Sequence, residues 1–292
     1  MATTVAFISE KGGVGKTTAC YHVAVALTRY HSKRVLIVDT DYQRGGITCR
    51  FFPQFLQSFH NGHMSGNNLY VQFQLIYSGQ APTDVVDRLQ ASDDIHVVPA
   101  DPRLSQVTVQ KLPPPNNIVD NNQRLYDHLA LIRRCLEPFM SDYDYILIDS
   151  HPELSDLMRS VIFAADYCVS PVKLDAQSTI GVPSAQQAIN EVNRDIQALS
   201  GLLGVPPKTN RFAGSMGMMA REYGGELIQS QAPQYARLSM SGGVFTNYVT
   251  EGDGIRQAAA SRVSVYDIAG PIAAQQATQF LSVTQEFLAR CP

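Results

Sequence analysis

Tryptophan is absent from the 292 residues, and cysteine is scarce. The five cysteines, Cys20, Cys49, Cys135, Cys168 and Cys291, are odd in number, widely spaced and free of any CxxC pair. That usage argues against a disulfide scaffold or a zinc site and for reduced thiols in a cytosolic protein. No apolar run approaches the roughly 18 residues that a membrane span needs. Nor does the N-terminus carry a charged stretch ahead of a long apolar run, so no signal peptide is read. Charge of one sign is missing too: 23 Lys and Arg against 26 Asp and Glu leave a net −3. No strongly basic balance advertises nucleic acid, which leaves only a local patch to do so. What is present, 45% apolar and 17% charged residues, is the composition of a globular chain long enough to bury a full core.

Short apolar runs alternate with longer amphipathic ones, the pattern of a parallel sheet flanked by helices. Strands are expected at 5–9, 34–39, 95–100, 145–150 and 167–173, with weaker candidates at 212–219 and 243–249. Most are apolar on successive residues, as strands covered on both faces must be. After the first, Ala19, Val23, Ala26, Leu27 and Tyr30 recur at helical spacing. Further helices are expected around 122–139, 180–199 and 271–290, whereas "KLPPPNNIVDNN" at 111–122 reads as a surface loop. No internal repeat and no dividing linker is visible. The expected fold is therefore α/β, a doubly wound, mostly parallel sheet flanked by helices, with residues 1–292 forming a single domain.

Between the first strand and its helix lies "SEKGGVGKTT", Ser9 to Thr18. Strand, glycine-rich turn and helix together form the setting in which backbone N–H groups and a helix N-terminus cradle phosphate. Gly12, Gly13, Val14 and Gly15 supply the turn, and the glycines let the backbone curl closely round an anion. Lys16 would reach the β- and γ-phosphates, Thr17 would offer its hydroxyl to Mg²⁺, and Thr18 would bond a phosphate oxygen. The general pattern G-x-x-x-x-G-K-S/T fails at its first glycine, where Glu10 stands, and it leaves Lys11 unexplained.

With that second lysine, "KGGVGKTT" resembles the deviant Walker A motif of the ParA/MinD ATPases, P-loop NTPases whose hallmark is the additional signature lysine. "RVLIVDTDYQ" at 34–43 is similar to the family's "VLLVDxDPQ" segment, "VVPADPRLSQV" at 97–107 to its "PAxxxL" region, and "YDYILIDSHP" at 143–152 to its "YDYIIIDxPP" Walker B. The resemblance continues more weakly through 164–181. It implies a Mg²⁺-dependent ATPase in which Lys11 reaches the nucleotide of a second subunit, so that two ATP molecules are sandwiched in a homodimer. It further implies that Asp41 orients the attacking water while Asp39 and Asp149 hold the Mg²⁺ shell through water. Either acid alone could merely cap a strand end. Phosphoryl transfer asks for positioning and cation neutralisation, which this set would supply.

Three departures stand out. Glu10 puts a negative charge near the phosphates, Tyr42 replaces the proline of "DPQ", and Ser150 and His151 follow Walker B. His151 reads as a solvated loop side chain rather than a catalytic one. The segment 50–80 holds five of the twelve phenylalanines, expected to pack helices on the sheet, with a partner or dimer surface as the alternative.

Within the family, a MinD-like membrane-associated division-site regulator should end in a basic amphipathic helix. The ending "TQFLSVTQEFLARCP" has one arginine and one glutamate, which disfavours a membrane. A reductase or metal-cluster ATPase would bridge its dimer through cysteines; the nearest after Walker B, Cys168, lies in an expected buried strand. The remaining branch is a ParA-like cargo-positioning ATPase, cytoplasmic and nucleoid-associated. It would bind DNA without sequence preference and be released by a small adaptor or centromere-binding protein that stimulates hydrolysis. Its cargo would be a plasmid, a chromosome origin or a protein organelle such as a carboxysome. The motif begins within ten residues of the start, so no N-terminal DNA-binding domain is expected. Arg221 and Arg256 fall roughly where the family places residues on the phosphate backbone; ordinary solvated arginines are the alternative. Residues 190–292 hold eight Lys or Arg and eight Asp or Glu, so no basic field shows there.

Overall fold

The computed structural model describes residues 1–43, 46–240 and 243–292. Among the described residues there are ten strands and ten α-helices. The strands are β1 Thr3–Phe7, β2 Val35–Asp39, β3 Leu89–Gln90, β4 Ile95–Val98, β5 Tyr145–Asp149, β6 Tyr167–Lys173, β7 Arg211–Ala220, β8 Glu222–Tyr223, β9 Glu226–Leu227 and β10 Val244–Thr250. The helices are α1 Lys16–His31, α2 Ile47–Phe51, α3 Leu56–His60, α4 Leu69–Tyr77, α5 Ile118–Leu136, α6 Asp156–Ala164, α7 Ala176–Leu203, α8 Ala232–Met240, α9 Asp253–Ser261 and α10 Pro271–Arg290. Eight strands form one sheet in the order β10-β7-β6-β1-β5-β2-β4-β3, parallel except for the edge strand β3, while β8 and β9 make a separate hairpin.

The continuous apolar runs are explained by burial on both faces. Ala6, Leu36, Val38, Ile146 and Ile148 join one core with residues of α4, α5, α6 and α7. Their neighbours Val5, Phe7, Val35, Ile37 and Leu147 join a second core with α1 and α10 on the opposite face. This alternation follows from the two-residue period of a strand. The chain leaves β1 through α1 for β2 on one side, and leaves β5 through α6 for β6 on the other. The loops after β1 and β5 therefore diverge at the C-terminal edge and open the crevice that doubly wound sheets use for ligands.

Several sequence expectations shift. Tyr30 is 51% exposed and meets Tyr266 edge-on, although Ala19, Val23, Ala26 and Leu27 are fully buried. The loop 111–122 ends early, because the Asn117 side chain accepts from Asp120 N–H and starts α5 at Ile118. In 50–80, Phe59 and Phe73 are buried, whereas Phe51, Phe52 and Phe55 are partly buried against the cores. Packing thus accounts for the phenylalanines. The closing segment forms α10, which buries Phe280, Val283 and Phe287 against the sheet. No helix among the described residues is long and apolar enough to cross a membrane.

His22 ties α1 to the layer that holds α10. Its Nδ1 lies 2.8 Å from the Thr18 carbonyl, and its Nε2 lies 3.1 Å from the Val265 N–H. The carbonyl can only accept and the amide can only donate, so the ring is neutral with its proton on Nδ1. It stacks on Phe280 at 4.5 Å. Burial, reinforced by Arg50, lowers its pKa from 6.5 to about 3. An unfolded chain takes up that proton below pH 6.5 while the folded one does not, so the stability this site contributes is complete above 6.5 and falls on acidification. Relative to His22→Gln, the native chain should lose about 2–3 kcal/mol of unfolding free energy between about pH 6.5 and about pH 4.5. Urea unfolding of both proteins at the two pH values checks this, and equal pH dependence would count against it.

Candidate functional site

The turn that ends β1 carries Gly13 at φ 70° and Gly15 at φ 94°, the left-handed region that side chains other than glycine avoid. Gly15 is the N-cap of α1, and no side chain caps its first turn. The leading amides of α1 are thus available to an anion. Lys16 begins the helix and is only 6% exposed. Burial lowers its pKa, opposed by Asp149 and Asp41. Thr17 and Thr18 sit half-buried beside it.

Asp39 and Asp149 end adjacent parallel strands and are paired in register. Strand parity sends both toward α1, the face that also receives Val35, Ile37 and Leu147. Both are fully buried. Asp39 is held by Thr48, from its N–H at 2.7 Å and its hydroxyl at 2.6 Å, and by the Asp41 N–H at 3.0 Å. Neither carboxylate oxygen of Asp149 has a hydrogen-bond partner among the described residues. Burial, followed by the charges of Asp39 and Asp41, raises its pKa; nearby Thr17 and Lys16 pull the other way without overcoming them. Burial likewise raises that of Asp39, against the Thr48 bonds. Two buried carboxylates side by side, one without a donor, are costly unless a cation reaches them. Asp41 stands at the crevice, its Oδ1 accepting from the Gln43 N–H at 3.0 Å. Burial raises its pKa, against the Gln43 bond and Lys16.

Lys11 pairs with Asp175. Its Nζ is 3.4 Å from both carboxylate oxygens of Asp175 in the same chain. Glu10 is half-buried, its pKa raised by desolvation. Arg221 and Arg256 come together although 35 residues separate them. Arg221 Nε meets Glu251 Oε2 at 2.7 Å, and Arg256 meets Glu251 Oε1 at 2.8 Å and Asp253 Oδ1 at 3.1 Å. The two arginine side chains remain 64% and 65% exposed. Cys168 is buried in β6, its pKa pushed up to about 12 by desolvation.

His151 contradicts its reading as a solvated side chain: it is fully buried. Its ring packs 4.9 Å from that of Tyr42, whose hydroxyl donates to Glu153 at 3.1 Å. The residue that replaces the family's proline thus holds the loop after β2 to the loop after β5. Thr48, Asp175 and Glu251 are further members of the site that sequence reasoning missed. The first is placed by tertiary folding alone. Asp175 and Glu251 follow the ends of β6 and β10, and that position was their signal.

A glycine turn feeding a helix, a buried lysine at its start and paired acids on neighbouring strands define a P-loop nucleotide-binding protein. A family model described as an AAA domain matches residues 2–199, and the chain belongs to that family as a ParA/MinD-type ATPase. It is 29% identical over 171 residues to a ParA family protein of Chlamydia pneumoniae, covering 58% of each chain. It is 28% identical over 201 residues to the chromosome-partitioning ATPase Soj of Thermus thermophilus, covering 69% of this chain and 67% of that one. In fold it is similar to the ATP complex of a McdA variant from Cyanothece, with a TM-score of 0.71, 17% identity, and coverage of 98% and 96%.

Proposed function

We propose that the chain is a Mg²⁺-dependent ATPase that pairs around two ATP molecules, binds DNA without sequence preference and distributes a cargo on the nucleoid. The observation that carries the nucleotide half of this reading is the orphaned, buried Asp149 carboxylate beside Asp39, Thr17 and Lys16. These residues fit a triphosphate with its magnesium ion: Thr17 would contact the metal, and Asp39 and Asp149 would hold its water shell. The bound ion would supply positive charge against the transferring phosphoryl group. The N–H groups of Gly13 to Thr18 would hold the phosphates, Lys16 would neutralise their charge, and Asp41 would orient a water at the crevice mouth.

Lys11 carries the dimer half. A half-exposed pair such as Lys11 with Asp175 is worth about 1 kcal/mol or less, so a partner's phosphate can displace the carboxylate cheaply. Lys11→Ala should keep ATP binding by the monomer within about threefold and lose the ATP-dependent dimer. Light scattering with and without ATP measures this, and a variant that dimerises like the native chain would remove the signature role from Lys11. Arg221 and Arg256 are the proposed DNA contacts. Glu251 and Asp253 neutralise them in the single chain, so phosphate binding would proceed by exchange of carboxylate for phosphate. The partition relative and the family membership support cargo distribution, the cargo being a plasmid, a chromosome origin or a protein organelle.

The whole reading is tested by ATP turnover and calorimetry of the native chain with Mg²⁺. Absence of nucleotide binding would overturn it.

A further inference from the structure

Thr48, the second residue of α2, is fully buried, and its hydroxyl touches two groups. The oxygen lies 2.6 Å from Asp39 Oδ2 and 2.9 Å from the N–H of Ala100, just past the end of β4. An amide can only donate, so the Ala100 N–H fills an acceptor position on the hydroxyl, and the hydroxyl proton goes to the ionised carboxylate. Asp39 Oδ2 also accepts from the Thr48 N–H at 2.7 Å, which fills both acceptor positions of that oxygen. Oδ1 accepts from the Asp41 N–H at 3.0 Å and keeps one position open. Three donors thus fix the Asp39 carboxylate. Its register partner Asp149 has no hydrogen-bond partner for either oxygen among the described residues. The backbone also closes on Asp39 from the Gly46 side, where an added Cβ would stand 3.1 Å from Oδ2.

We infer that Thr48 is a positioning residue for the divalent cation, fixing Asp39 so that the carboxylate keeps one open acceptor position, on Oδ1, for the metal's water shell. A carboxylate that is already held gives up no rotational freedom when it meets such a water, and outer partners of this kind set metal affinity. The Ala100 bond carries the grip to the end of β4, so one hydroxyl joins three segments: the acid at the end of β2, the start of α2 and the strand beside β2. Valine has the shape of threonine without the hydroxyl. It would take one donor from Asp39 and leave the buried Ala100 N–H without its acceptor, whereas serine would keep both bonds.

This inference rests on the nucleotide reading above, and the test separates the two. The nonhydrolysed analogue AMPPNP is titrated by calorimetry into the native chain, Thr48→Val and Thr48→Ser, once with Mg²⁺ and once with EDTA. Thr48→Val should weaken Mg·AMPPNP by about tenfold to a hundredfold, the size of a lost hydrogen bond to a charged group and of a lost outer partner at a metal site. Its affinity for AMPPNP in EDTA should stay within about threefold of native, and Thr48→Ser should stay within about threefold under both conditions. Equal weakening with and without the metal would make Thr48 merely structural and overturn the inference. No weakening, or a serine variant as poor as the valine one, would overturn it too. Should Thr48→Val fail to fold, Gly46→Ala decides, because its methyl group displaces the Asp39 carboxylate while leaving the Thr48 hydroxyl in place. A loss confined to the Mg²⁺ titration supports the inference, and an equal loss in both titrations, or none, rejects it. A native chain that binds AMPPNP no better with Mg²⁺ than with EDTA, or not at all, would overturn the nucleotide reading and this inference with it.

Discussion

Lys16→Ala is expected to lose nucleotide affinity by at least about a hundredfold, roughly 2.7 kcal/mol. The size of the effect follows from where the ammonium sits. Lys16 is buried at the first residue of α1, and its charge is the cation that Asp149 and Asp41 feel. Truncation removes the charge that would face the β- and γ-phosphates and leaves three carboxylates, Asp39, Asp41 and Asp149, at the same crevice without it. A bound phosphate would then meet net repulsion in a place of low dielectric, where screening is weak. Calorimetry with Mg·ATP measures the loss directly, and an affinity within threefold of the native chain would remove Lys16 from the site.

Asp41→Ala is expected to act on a later step and in the opposite sense on the dimer. Asp41 sits at the crevice mouth with one oxygen held by Gln43, and its truncation would leave in place the Lys11, Lys16 and Thr17 side chains that would build the dimer, although its charge helps keep Lys16 protonated. ATP turnover should fall by about a hundredfold or more, as for loss of one positioned group in a transition state. The ATP-bound dimer should accumulate. DNA affinity should then rise with dimerisation, because each added phosphate contact steepens a salt-sensitive term. The Glu251 bridge sharpens this test. Glu251→Gln placed on Asp41→Ala should strengthen DNA binding at low salt, and Arg256→Glu should weaken it, both without dissolving the dimer. Turnover at the native rate would exclude Asp41 from the chemistry, and a trapped dimer indifferent to DNA at low salt would refute the nucleoid reading.

The sheet and the clustering of the candidate site's residues were legible because their signals are local. Every expected strand is present, and the glycine turn, Lys16, Asp39 and Asp149 meet where strand ends and parity would bring them. Elements that depend on distant partners were not. The two-residue strands β3, β8 and β9 carry no periodicity to read. Helix α6 is preceded by a clear Ser155 cap, but its nine residues follow the Walker B segment so closely that the motif masked the helix. His151 was misjudged for a physical reason: exposure is a property of the tertiary fold, and Tyr42, more than a hundred residues earlier, is what covers it. The sharing of Glu251 by Arg221 and Arg256 is hidden in the same way, since no linear spacing relates β7 to α9.

His22 makes the phosphate-turn helix and the C-terminal layer a single strut. One imidazole spans the gap, bonded to a carbonyl in the opening turn of α1 and to an amide just beyond α9, with its face against α10. Being held at both nitrogens, it leaves those elements little freedom to slide past one another. The loops after β2 and β5, joined through Tyr42 and Glu153, are not tied into that strut by His22.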